Sequence, residues 1–127
     1  MNAPSILVID DSLVVRKIVE TCLRRAGYQV ASFADPVPAL RALFEARETA
    51  PPDLLIVDIG LPHLDGFDVI RLIRSNEAYR QIPIIVLSRR DGVLDRLKAR
   101  LSGASAYITK PFKTQELTST VRHLLPS

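Results

Sequence analysis

Five side chains of this 127-residue chain are spaced to do chemistry together: Asp10, Asp11, Asp58, Ser88 and Lys110. Each follows a short apolar run. Asp10-Asp11 follow Ile6-Leu7-Val8-Ile9, Asp58 follows Leu54-Leu55-Ile56-Val57, Ser88 follows Ile84-Ile85-Val86-Leu87, and Lys110 follows the weaker run 106–109. Three carboxylates held together repel one another and raise one another's pKa unless positive charge lies between them. Oxygen-only ligands with places left for water suit Mg²⁺. A bound Mg²⁺ and Lys110 would turn such a cluster into a site for a dianionic phosphoryl group, whose transfer is mostly positioning and charge neutralisation. Asp58, alone at the end of its run and followed by a loop, is the natural nucleophile, because aspartyl phosphates are known covalent intermediates. Ser88 can donate a hydrogen bond to a phosphoryl oxygen.

The elements that must position these groups alternate along the chain. The three continuous runs lack the polar/apolar alternation of a half-exposed strand, so both faces should be covered, as in a parallel sheet. Weaker strands are expected over 28–33 and 106–109. Amphipathic helices lie between. Val15, Ile18, Val19, Cys22, Leu23 and Ala26 form the stripe of the first, with Gly27 where a C-terminal glycine stops it. Ala39, Leu40, Leu43 and Phe44 mark the second, ended by Pro51-Pro52. Phe67, Ile70, Leu72 and Ile73 mark the third, and Leu94, Leu97 and Leu101 the fourth, with Arg96, Lys98 and Arg100 on its wet side. Leu117, Val121, Leu124 and Leu125 mark the last. A strand–helix order repeated five times predicts a doubly wound α/β domain on a five-stranded parallel sheet, helices on both faces. In such a sheet, sites form outside the carboxyl ends of strands at the switch in strand order, which is where the five side chains fall.

Composition narrows the rest. The chain is 47% apolar and 24% charged, long enough for one core and globular in balance. No run approaches a membrane span and no signal peptide precedes the first strand, so a cytoplasmic location is the default. Cys22 is the only cysteine, which excludes an internal disulfide, and is read as packing. The net charge of +3 is spread over several helix faces without interleaved aromatics or a zinc pattern. A solvated surface, or one that meets an acidic protein, is expected rather than direct nucleic-acid binding. His63 and His123 have no metal spacing and are assigned to the surface.

The set as a whole is similar to the receiver domains of two-component response regulators. Asp10-Asp11-Ser12, Asp58-Ile59-Gly60-Leu61-Pro62 with Asp65-Gly66, Ser88, and Lys110-Pro111-Phe112 carry the resemblance, which spans nearly the whole chain. It implies a CheY-like (flavodoxin-like) fold and one receiver domain over 1–127 without an output domain. It implies that Asp58 accepts phosphate from a histidine kinase or a histidine phosphotransfer protein. Asp11 and Asp58, with the carbonyl of Gly60, would bind Mg²⁺ directly, and Asp10 through water. Lys110 would pair with the phosphoryl group, Ser88 and Tyr107 would form a coupled switch, and the Lys110-Pro111 bond would be cis. A downstream protein would be met through the fourth and fifth helices. A narrower resemblance, in Arg90-Asp91-Gly92-Val93-Leu94-Asp95-Arg96 and Leu101-Ser102-Gly103-Ala104, is to receivers of type IV pilus and twitching-motility chemosensory pathways.

Two positions depart from the family's pattern. Arg89 stands after the switch hydroxyl where a small residue is usual, and Lys113 stands where a capping residue often begins the last helix, so Thr114 is expected to cap one residue later. Taken singly, Asp10 or Asp11 reads as a helix cap, Asp58 as a turn residue, Lys110 as a solvated charge and Tyr107 as core; it is the set that argues for function. A small phosphatase with an aspartate nucleophile would need a second carboxylate at position 60, which is glycine. A phosphate-independent interaction module would be marked by a lost acidic residue or lysine, and all are present.

Overall fold

The computed structural model describes residues 3–45, 50–61 and 64–125. The apolar runs become strands because β-branched side chains suit a pleated surface and, lacking a polar face, need cover on both sides. The strands β1 (Ser5–Ile9), β2 (Gln29–Phe33), β3 (Leu54–Val57), β4 (Ile84–Ser88) and β5 (Ala106–Thr109) pair in parallel in the order β2-β1-β3-β4-β5. The winding reverses between β1 and β3, which opens a crevice beyond their carboxyl ends.

Alternate residues of each strand enter opposite layers. Leu7, Ile9, Leu55, Val57, Ile84 and Val86 pack with residues of α2 (Pro36–Glu45), α3 (Gly66–Ser75) and α4 (Val93–Ser102). Ile6, Val8, Leu54, Ile56, Ile85 and Leu87 pack with Val19 and Leu23 of α1 (Leu13–Arg25) and with Leu117 and Val121 of α5 (Thr114–Leu124). Both layers are needed to bury a strand such as β4, all of whose residues are buried. Cutting back one of these fully buried side chains, Ile56 or Ile85, is expected to cost roughly 2–5 kcal/mol. The architecture is the doubly wound, five-stranded α/β arrangement expected from the alternation of elements.

Several local expectations hold and several are corrected. Gly27 takes φ +98° just beyond the end of α1, the left-handed conformation its position called for. Cys22 packs where α1 meets α5, its Sγ 3.5 Å from Thr118 Oγ1, and His123 is exposed. His63 and Pro62 lie outside the described residues. β2 begins at Gln29, one residue after the expected start. Within the helix stripes, Ile18 (44% exposed), Phe44 (36%), Leu72 (49%) and Ala26 are on the surface.

The largest correction concerns α4. Leu94, Leu97 and Leu101 are 74%, 46% and 77% exposed, so the leucines do not mark its buried face. Ala99 and Ser102 do, because close approach of this short helix to the body of the protein favours small side chains. At α5 the cap is Lys113, with no side-chain hydrogen bond, and Thr114 is already the first helical residue. The shift to Thr114 is therefore overturned: the Thr114 carbonyl is used instead, accepting from Thr118 Oγ1.

One side chain ties the far ends of several elements. The Arg74 guanidinium donates to the carbonyls of Gly103, Tyr79, Arg80 and Ile82, joining α3, α4 and the segment leading into β4. A planar fork with several N–H groups can reach that many acceptors, and lysine cannot reproduce it.

Candidate functional site

Each strand end delivers its group by main-chain bonds. Asp10 N donates to Phe33 O and Asp58 N to Ile9 O, so the backbones just after β1 and β3 stay registered with their neighbours. Lys110 N donates to Ser88 O, which does the same for β4 and β5. Asp10 is 1% exposed, Asp58 7% and Ser88 2%, whereas Asp11 is open to solvent. The acidic oxygens of Asp10, Asp11 and Asp58 lie within 4.8 Å of one another. Lys110 Nζ reaches into this cluster, 2.7 Å from Asp10 Oδ2 and 3.1 Å from Asp58 Oδ2.

The remaining bonds orient the carboxylates. Asp10 Oδ1 accepts from Ser12 N, and the Arg16 side chain donates to Asp10 O. Ser12, rather than Asp10 or Asp11, is the N-cap of α1, its Oγ accepting from Val15 N. Asp58 Oδ1 accepts from Gly60 N at 2.8 Å, leaving Oδ2 to Lys110. Asp10 Oδ2 has no aligned hydrogen-bond donor; its neutralisation is the charge contact with Lys110. Three carboxylates sharing one ammonium, one of them exposed, form an all-oxygen set that suits a hard divalent cation that keeps part of its water.

Burial is the main cause that holds the Asp10 carboxyl above its ordinary pKa, with Lys110 and the Ser12 amide opposing it. For Lys110, burial works to lower the pKa, but Asp10 and Asp58 together outweigh it and the ammonium is held above its ordinary value. The lysine is therefore a fixed positive charge at neutral pH.

Ser88 Oγ accepts from Arg90 N, bending the chain after β4. Tyr107, on β5 and half-buried, donates its hydroxyl to Arg90 O, and the Arg96 guanidinium lies 4.8 Å from the ring centre. Burial leads in raising the phenol pKa. The Lys110-Pro111 peptide is cis, as expected.

Asp11, Ser12, Asp58, Gly60, Ser88 and Lys110 line a cleft of about 290 Å³, together with Arg89 and Arg90. A larger groove, about 590 Å³, lies between α4 and β5 and is lined by Val93, Arg96, Leu97, Arg100 and Tyr107 among others. Among the described residues no carboxylate lines it, whereas Asp11 and Asp58 line the smaller cleft. Asp11, Asp58, Gly60, Ser88 and Lys110 thus line one crevice with Asp10 buried against it, whereas Tyr107 lines the larger groove. One feature escaped that reading. Gly66, at the start of α3 behind the Asp65 cap, lies so close to the chain after Asp58 that an added Cβ would sit 2.2 Å from Ile59 Cα. The Asp65-Gly66 pair was visible, but its contact is between segments and has no signature in spacing.

A parallel sheet of this order with three carboxylates and a buried lysine at its switch point is an α/β domain built to hold a divalent cation beside an anionic group. The profile of the response regulator receiver domain matches residues 6–122, and the chain belongs to that family, whose members act in two-component phosphorelay signalling. Protein PilG of Pseudomonas aeruginosa is 37% identical over 122 residues, 96% of this chain and 87% of PilG. The transcriptional regulatory protein PrrA of Mycobacterium tuberculosis is 38% identical over 125 residues, 98% of this chain but 51% of PrrA, so the chain spans about half the length of that relative. Chemotaxis response regulator CheY4 of Vibrio cholerae superposes with a TM-score of 0.87 at 28% identity, covering 98% of this chain and all of CheY4. The receiver domain of sensor histidine kinase PA1611 from P. aeruginosa, solved with a magnesium ion in its active-site cleft, gives 0.84 at 34% identity, covering 98% and 99%. No helix among the described residues is long and apolar enough to cross a membrane.

Proposed function

We propose that Asp58 takes a phosphoryl group from a phosphohistidine of a histidine kinase or histidine phosphotransfer protein, with Mg²⁺, and that the chain signals through the resulting change of surface. The observation that carries this is the meeting of one oxygen each of Asp10, Asp11 and Asp58 within 4.8 Å, with the Lys110 ammonium on Asp10 and Asp58. Asp11, Asp58 and the Gly60 carbonyl would hold Mg²⁺, and Asp10 would act through bound water. The cation would supply charge neutralisation for the incoming phosphoryl group.

This chain's own residues supply the rest. Asp58 Oδ2 is held by Lys110, and Oδ1 by Gly60 N, so the nucleophile has a fixed orientation. Attack forms the Asp58 O–P bond as the P–N bond to the donor imidazole breaks, and the imidazole leaves with that electron pair. Lys110 then pairs with a phosphoryl oxygen, and Ser88 donates its hydroxyl proton to another. As Ser88 Oγ swings toward the phosphoryl group it draws away from Arg90 N, and the loss of that bond loosens the segment whose carbonyl holds Tyr107. Ser88 and Tyr107 are on this reading the switch that carries the event to α4, β5 and α5, where a downstream protein binds.

The chain works as one receiver domain over residues 1–127 in the cytoplasm, a phosphoacceptor that assists its own phosphorylation and dephosphorylation rather than a turnover enzyme. The resemblance of its segments 90–96 and 101–104 to receivers of type IV pilus and twitching-motility pathways supports a role in a pathway of that kind. Incubation with Mg²⁺ and a small phosphodonor, followed by intact-mass measurement, tests the central claim. A single phosphoryl adduct is expected on the wild type and none on Asp58→Ala; an adduct retained by Asp58→Ala, or none on the wild type, overturns it.

A further inference from the structure

Three cationic residues, Lys110, Arg89 and Arg90, border the acidic cleft. Lys110 is buried in it and committed to Asp10 and Asp58. Arg89 also lines it, is exposed, and takes part in no ion pair or side-chain hydrogen bond among the described residues. Its neighbour Arg90 is committed, with its side chain 3.8 Å from Asp95 and its carbonyl bonded to Tyr107. Arg89 further lines an apolar hollow formed by Val15, Ile18, Pro111 and Phe112, beside Lys110. That hollow offers its methylene stem a surface while the guanidinium stays in water at the mouth of the cleft.

Charge balance shows when such a group acts. Asp10, Asp11 and Asp58 carry three negative charges, and Lys110 with a divalent cation carries three positive ones. The empty acceptor is therefore neutral without Arg89, which has nothing there to bind. An acyl phosphate on Asp58 replaces one negative charge by about two, leaving the cleft one short. The guanidinium supplies the missing charge and presents N–H groups in a fork that suits phosphoryl oxygens.

Resting on the phosphoacceptor reading, we infer that Arg89 is a second phosphoryl-binding residue. It engages the group on Asp58 and contributes nothing to binding of the cation. It discriminates the loaded from the empty state, which is what biases a two-state domain.

Beryllofluoride, which mimics a phosphoryl group on a carboxylate, is the probe. Its dissociation constant is measured by calorimetry at saturating Mg²⁺ for the wild type, Arg89→Ala, Arg89→Lys, Asp58→Asn and Arg100→Ala. Mg²⁺ affinity is measured separately on each. Arg89→Ala is expected to weaken beryllofluoride about tenfold, the size of one partly exposed charge-assisted bond. Arg89→Lys, which keeps the charge but not the fork, should fall between the wild type and Arg89→Ala, and Arg100→Ala, which removes a charge on α4, should change the affinity less than about twofold. Mg²⁺ should bind Arg89→Ala as well as the wild type or better, an outcome that a merely structural role does not produce. Equal or tighter beryllofluoride binding by Arg89→Ala, with normal binding by the wild type, overturns the role of Arg89 alone. Absent binding by the wild type, or binding retained by Asp58→Asn, overturns the phosphoacceptor reading and this inference with it.

Discussion

Replacing Gly66 by alanine should disable the acceptor loop from behind. The added Cβ would stand 2.2 Å from Ile59 Cα, 2.8 Å from Ile59 C and 2.9 Å from the Asp58 carbonyl oxygen. Ordinary carbon contacts begin near ~3.5 Å, so one backbone must retreat by more than about 1 Å. No flexible side chain is available to absorb this, since all three neighbours are main chain. Overpacking of a core costs typically about 1–3 kcal/mol, and alanine regains at most about 1 kcal/mol of helix propensity at this first helical position. Because the obstacle is backbone, a net loss of about 2–3 kcal/mol is expected. With a urea slope of about 1–2 kcal/mol/M, that moves the unfolding midpoint down by about 1–3 M.

The same displacement shifts Asp58, so the rate of adduct formation with a small phosphodonor should fall at least about tenfold, as misplacement of a reacting group does. Gly60→Ala is the comparison: its Cβ would meet only Asp58 Oδ1 at 3.5 Å, an ordinary contact, and its stability should stay within about 0.5 kcal/mol of wild type. If Gly66→Ala unfolds at the wild-type urea midpoint and phosphorylates at the wild-type rate, the close approach of α3 to the acceptor loop is not what holds Asp58 in place.

Lys110→Met, which leaves Asp10 and Asp58 buried without their cation, should lose about 3–5 kcal/mol at neutral pH, and added Mg²⁺ should restore part of it in a chemical-denaturation series. Asp10→Asn should do the reverse. Burial raises the Asp10 pKa in the folded state, so its contribution to stability is fullest below the unfolded carboxyl pKa and is lost as pH rises through the folded value. The Asn variant should therefore be more stable than wild type at neutral pH without Mg²⁺, converge with it in acid, and gain less from Mg²⁺; a pH series of melting curves reads all three. Arg74→Lys should cost about 2–3 kcal/mol in thermal unfolding, because the carbonyls of Gly103, Tyr79 and Ile82 lose a shared donor.

What the order of residues determined on its own is the sheet and the location of the chemistry. Three runs apolar on both faces demand a covered parallel sheet, and chain connectivity then brings the residue after each strand to one edge. Asp10, Asp11, Asp58, Ser88 and Lys110 could be named before any contact was known, since strand period and connectivity are local properties. Burial on a short helix is not. The leucines of α4 are the most apolar residues of their segment, yet Ala99 and Ser102 face the protein, because the gap left by neighbouring elements selects for size as well as polarity. The fit of Gly66 against Ile59, the gathering of four carbonyls by Arg74 and the lodging of Lys110 between Asp10 and Asp58 likewise join residues far apart in the chain. Such contacts depend on the shape of both partners, and only the tertiary structure sets the two shapes against each other.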